Sequence, residues 1–93
     1  MNFLIFYHED VIKKDIPRLS SSVRIIVKKS IEEKLTTYPE HFGKPLRRSL
    51  KGYRKLRVGD WRVVFRIEQK RVKIFAICHR SIVYERVPDR FHF

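Results

Sequence analysis

The chain is expected to be an α+β protein: a small, antiparallel-rich β-sheet with a helical hairpin packed on one face, its elements running β-α-α-β-β-β. Three observations predict this. A short, nearly continuous apolar run, "NFLIFY", opens the chain. Apolar residues then recur three and four apart as far as Leu35, the spacing of an amphipathic helix. From Tyr53 onward they alternate with polar residues in three runs separated by turn sequences, the spacing of half-buried strands.

The elements follow in order. "NFLIFY" (Asn2 to Tyr7) is the first strand, and "HEDVIKKDI" is a first helix closed by Pro17, which disfavours helical geometry in the residue before it. Ser20 to Ser22 supply N-cap candidates for a second helix. Val23, Ile26, Val27, Ile31 and Leu35 form its apolar stripe, and it ends near "TTYPE". "EHFGKPLRRS" holds Gly43 and Pro45 and reads as a loop running into strand territory. In the next strand Leu56 and Val58 share a face with Arg54, while Tyr53, Lys55 and Arg57 take the other. "VGD" (Val58 to Asp60) is a hairpin turn, after which Trp61, Val63, Phe65 and Ile67 alternate with Arg62, Val64 and Arg66. A turn at "EQKR" leads to a last strand with Val72, Ile74, Ala76 and Cys78 on one face, and Pro88 limits any helix in the tail. One sheet face is expected to pack on the helices and the other to present polar and basic residues.

Length and charge bound the function. Residues 1–93 suffice for a single domain with a modest core. No apolar run approaches the roughly 20 residues that span a membrane. The first residues lack the basic, long apolar and small-residue segments of a signal peptide, so a cytoplasmic protein with no membrane partner is expected. Cys78 is the only cysteine, which excludes an internal disulfide, and the histidines have no metal-ligand spacing, so neither metal nor cofactor is expected. Formal net charge is +12, concentrated in one segment: Met1 to Gly43 holds seven Lys/Arg against six acids, whereas Lys44 to Lys73 holds twelve against two. Solubility requires no such concentration. Nucleic acid or an acidic protein is the expected partner.

The chemistry should lie where the cations meet the strands. Arginine forks match phosphate geometry, and fixed cations stabilise charge that builds on a reacting phosphate. Lys55, Arg57 and Arg62 can share one sheet surface, Arg80 follows the last strand, and Lys51, Arg54 and Arg66 are further phosphate-binding candidates. His79 and Tyr84 are the proton-handling candidates. His8, His41 and His92 lack such company and are expected to be structural or exposed. Trp61, Phe65 and Phe75 are expected in the core, although an aromatic exposed on the basic face could stack on a nucleobase. No Ser-His-Asp pattern and no glycine-rich phosphate loop is present.

The run "KPLRRSLKGYRKLRVGDWRVVFRI", followed by "KIFAICHRSIVYE", resembles the RelE/ParE superfamily of bacterial toxin–antitoxin systems, on its RelE side. The resemblance implies a type II toxin that is a metal-independent endoribonuclease. It would cut mRNA in the ribosomal A site, next to 16S rRNA, and would be silenced by a cognate antitoxin, expected to be acidic. It implies attack by a ribose 2′-hydroxyl on the adjacent phosphate. On this resemblance Arg62 contacts the scissile phosphate, and Lys55 and Arg57 lie in the basic strand. Arg80 and Tyr84 serve near the leaving group, and Lys55 and His79 are alternative bases. Two other readings stand beside it: a ParE-like inhibitor of DNA gyrase, and a non-catalytic basic nucleic-acid-binding module.

Overall fold

A computed structural model describes residues 2–91 and 93, and His92 lies outside the described residues. After β1 (Leu4–Tyr7) comes α1, a wide π-helical turn over Val11–Asp15 that tightens to α-helix over Ile16–Arg18. Then come α2 (Ser21–Ser30), which widens over Ile31–Leu35, and the short α3 (Pro39–Phe42). β2 (Lys44–Pro45) precedes β3 (Arg54–Val58), β4 (Trp61–Glu68) and β5 (Arg71–His79). The C-terminal segment is a 3₁₀ turn (Arg80–Ile82), α4 (Val83–Arg86) and a further 3₁₀ turn (Val87–Arg90).

Among the described residues the sheet has the strand order β1-β5-β4-β3-β2, with β1 parallel to β5 and the other pairs antiparallel. The α+β class and the helical hairpin over one face are as expected. The reading of "EHFGKPLRRS" as a loop running into a strand needs correction only at its start, where α3 ends; the edge strand β2 follows. Pro17 does not close the first helix either. It sits in the first turn after the wide π-helical stretch, where a missing N–H costs little, and the helix runs on to Arg18.

The Ser20 side chain accepts the Val23 N–H and caps α2, as its position predicts. The apolar stripe is narrower than its spacing suggested. Val27, Ile31 and Leu35 are buried, but Ile26 is 55% exposed. The wider turn over Ile31–Leu35 keeps residues four apart in register, so a straight row faces the sheet and Ile26 falls on its flank.

The last strand departs most from simple alternation. Val64 pairs with Ala76 and Phe65 with Ile74, so β5 accommodates one extra residue, Phe75, in a bulge. Val72 and Ile74 therefore face the helices, whereas Ala76 and Cys78 face the other way. Their expected common face is corrected by that single residue. The sheet separates two cores. Val63, Phe65, Leu56, Val72, Ile74 and Ile77 pack under Val27, Ile31 and Leu35. On the opposite face Tyr53, Val64, Phe75, Ala76 and Cys78 pack under Leu46, Leu50, Val83 and Val87. That second face is thus not simply polar. The C-terminal segment covers its centre, and the cations are left at its margins.

Gly43 packs its α-carbon against the Phe65 ring, and a Cβ there would collide with the ring carbons. Its backbone lies outside the left-handed region (φ −98°), so the demand is for space alone. Gly43→Ala should destabilise the protein by about 1–3 kcal/mol through overpacking, read as a lower urea midpoint with an unchanged slope. An unchanged midpoint would show that α3 yields freely.

Candidate nucleic-acid interface

The β3–β4 hairpin places its cations by register. Turning at Gly59, whose φ of +60° favours glycine, it sets Arg57 directly opposite Arg62 and Lys55 opposite Val64. On the outer side Lys44 of β2 lies opposite Lys55. Directly paired residues share a face, so Lys44, Lys55, Arg57 and Arg62 stand together on the face opposite the helical hairpin. Like charges directly opposite each other destabilise a sheet. A third such pair, Arg66 and Lys73, is bridged by Glu68 at 3.6 and 3.2 Å. Among the described residues Lys44, Lys55 and Arg57 have no acidic partner. Arg62 folds back on the turn, its Nη1 donating to the carbonyls of Gly59 and Trp61 at 2.9 Å. The Arg80 N–H donates to the Asp60 carbonyl at 2.9 Å, and its guanidinium lies 3.6 Å from the Asp60 carboxylate. The hairpin tip therefore gathers Arg62 and Arg80 beside Arg57.

Tyr84 is exposed on α4, and its hydroxyl accepts the Arg47 N–H at 3.0 Å. Arg47, Arg48 and Ser49 line an open cleft with it. Arg48 and Ser49 received no role from sequence reasoning. Their only signal was the "RRS" string in a segment read as a loop.

Other candidates separate from this group. Arg54 points to the helix side with Leu56 and Val58, donating to the carbonyls of Gly43 (2.9 Å) and Glu40 (3.3 Å), so it anchors α3. Lys51 is exposed in the turn before β3. Arg66 stands over the Tyr53 ring, 5.6 Å from its centroid. His79 pairs with Trp61 and so lies on the face opposite Arg62 and Cys78. Its Nδ1 accepts the Ser81 N–H at 3.2 Å and lies 2.8 Å from Ser81 Oγ. Phe65 and Phe75 are buried in opposite cores, whereas Trp61 is half-buried. His8 is buried and accepts the Asp10 N–H, and His41 packs edge-on against Tyr38.

A buried ion cluster, overlooked in the sequence, ties the C-terminal segment down. Asp15 of α1 accepts the Ile77 N–H at 2.9 Å, the Arg90 guanidinium through two hydrogen bonds, and Arg86 at 3.1 Å. Burial alone would lower the Arg90 pKa, but the hydrogen bonds and charge of Asp15, with Asp10, outweigh it and raise the value. Cys78 lies beneath this segment, and burial pushes its thiol up to about 11, with Arg86 opposing the shift. Thiolate is the reactive form, so the native protein should resist iodoacetamide at pH 8 and react readily once unfolded in urea. Fast native alkylation, read by mass, would show that the segment lifts off.

No helix among the described residues is long and apolar enough to cross a membrane. The sequence model of the family described as the ParE toxin of type II toxin–antitoxin systems, parDE, matches residues 5–84. The chain is 35% identical over 79 residues to Toxin RelE of Mycobacterium tuberculosis, covering 83% of this chain and 81% of that one. The fold is similar to that of a chain in the RelBE2 toxin–antitoxin complex of the same organism, with a TM-score of 0.79, 27% identity, and coverage of 86% and 100%. It is also similar to a mutant of E. coli toxin RelE in the free state, with a TM-score of 0.75, 22% identity, and coverage of 98% and 99%. The basic hairpin, the helical pair over the opposite face and these matches lead to one conclusion: the chain belongs to the ParE toxin family, within the RelE/ParE superfamily of type II toxin–antitoxin toxins.

Proposed function

We propose that this toxin is an endoribonuclease that cleaves mRNA on the ribosome and is held inactive by an acidic antitoxin. The observation that carries this reading is the uncompensated like-charge pairing of Arg57 with Arg62 and Lys44 with Lys55. Such an arrangement is unfavourable in the free protein and becomes favourable when a polyanion lies across it.

The chemistry follows from the residue types. Lys55, acting as the base, takes the proton of a ribose 2′-hydroxyl, whose oxygen attacks the adjacent phosphorus. Arg57 and Arg62 hold the non-bridging oxygens as negative charge builds there, Arg62 exchanging its turn carbonyls for phosphate. The bond to the 5′-oxygen breaks, and Tyr84 or Arg80 assists its departure as a proton donor or cation. The products are a cyclic phosphate and a 5′-hydroxyl, and the scheme itself calls for no metal. Between the two candidate bases, Lys55 is favoured because it shares a face with Arg57 and Arg62. His79 lies on the other face with its Nδ1 lone pair engaged. The RelBE2, YoeB–YefM and DinJ–YafQ complexes named among the similar structures support an antitoxin partner.

Incubation of the purified toxin with translating ribosomes, followed by mapping of mRNA ends, tests the reading. New 5′-hydroxyl ends within codons at the A site are expected. Intact messages together with loss of gyrase supercoiling would establish the gyrase-inhibitor reading that the family match also permits. RNA binding without turnover would establish the non-catalytic one.

A further inference from the structure

We propose a second RNA contact on the helix-facing side of the hairpin end: a cleft that takes one unstacked nucleobase against Trp61 and His79, with Arg18 binding the adjoining phosphate. This rests on the RNA-cleaving reading and adds a base-binding site to it. The cleft has a volume of about 200 Å³, and its apolar wall includes Leu19, Ile77 and Ile82. That is below the range of pockets that enclose drug-sized ligands, and suits a single planar ring system.

Three features point to a base. Trp61 and His79 are cross-strand partners, with ring centroids 5.9 Å apart and planes at 84°. They set two aromatic rings side by side in the lining of the cleft, and unpaired bases stack on aromatic side chains. His79 also has a defined tautomer. A backbone N–H can only donate, so the Ser81 bond makes Nδ1 the acceptor and leaves the proton of the neutral ring on Nε2. His79 thus presents its Nε2–H as a hydrogen-bond donor.

The third feature is electrostatic. Arg18, at the mouth, is exposed and has no ion pair or side-chain hydrogen bond among the described residues. Arg86, also lining the cleft, is committed to Asp15 at 3.1 Å. One free guanidinium beside an aromatic pair matches the phosphate that accompanies each base. It matches an acidic, apolar peptide less well, because the cleft is too small for more than one side chain. The site adjoins the catalytic face through the chain itself, because Trp61 and Arg62 are consecutive and point to opposite sides of β4. An RNA strand with its phosphate on Arg62 would turn over the hairpin end to place a flanking base here.

Trp61 is the sole tryptophan, so its fluorescence reports on this cleft directly. The probes are a short single-stranded RNA with 2′-O-methyl riboses, which lacks the attacking hydroxyl, and the same strand with abasic residues. Binding is followed separately by the anisotropy of a labelled strand. The expected result is saturable quenching of Trp61 by the base-bearing strand and none by the abasic strand. Arg18→Gln should weaken binding of the first about five- to tenfold while leaving the urea midpoint unchanged. Equal quenching by both strands, or anisotropy-detected binding with no quenching, would overturn the cleft while leaving the nuclease reading intact. Failure of both strands to bind would overturn the cleft, while the nuclease reading stands or falls separately on cleavage in translating ribosomes. An acidic amphipathic peptide that quenches Trp61 where RNA does not would assign the cleft to a protein partner and also overturn the proposal.

Discussion

Asp15→Ala is expected to cost about 3–5 kcal/mol of stability, the largest loss of any single substitution considered for this protein. The carboxylate is fully buried and is the common partner of Arg86, Arg90 and the Ile77 N–H. Its removal strands the buried Arg90 guanidinium, which keeps the Phe75 carbonyl as an acceptor and Asp10 at 3.9 Å. It also leaves a buried backbone N–H unpaired. A domain of this size is typically stable by roughly 5–15 kcal/mol, so the variant should be close to unfolding at 37 °C. Because Arg86 and Arg90 hold the C-terminal segment, the second core should open first. Cys78 alkylation should then accelerate at urea concentrations that leave the sheet intact. Urea denaturation by circular dichroism measures the total cost. Asp15→Leu combined with Arg90→Met should recover much of the loss, because it removes both charges together. A loss below about 1 kcal/mol for Asp15→Ala would mean that water reaches the cluster.

Arg62→Ala should do the reverse, removing activity and sparing the fold. Among the described residues its guanidinium bonds only to turn carbonyls that solvent can satisfy, and it faces Arg57 across the hairpin. Its loss relieves a like-charge pair, so stability should change by less than about 1 kcal/mol. Under the proposed chemistry, mRNA cleavage should fall about 10²- to 10³-fold, the usual effect of losing one group that stabilises developing charge. Arg62→Lys keeps the charge but not the fork and should recover only part of the rate. Single-turnover cleavage on programmed ribosomes separates the rate from the affinity. Wild-type turnover by Arg62→Ala would remove Arg62 from the site.

How far the sequence could be read follows from the range of the physics involved. The hairpin was legible residue by residue, because period-two alternation and a Gly-Asp turn are local properties. Leu56, Val58, Trp61, Val63 and Phe65 face the helices as their spacing requires, and Lys55, Arg57 and Arg62 share the other side. Ser20 capped its helix for the same local reason. The reading failed where one distant contact decided the outcome. Phe75 bulges from β5 and reverses Ala76 and Cys78, and no spacing in "VKIFAICHR" distinguishes that strand from a regular one. Arg54 belongs to the same cationic string as Lys55, but α3 claims it.

The sequence by itself determined the class of fold, the basic hairpin and the family, because periodicity, charge concentration and motif are written along the chain. Only the tertiary structure separated His79 from Lys55. Which face a strand end presents depends on pairing with Trp61 across the sheet. Only the tertiary structure, too, joined Asp15 to Arg90, which are distant in sequence and meet because burial leaves an unpaired charge at either position prohibitively costly.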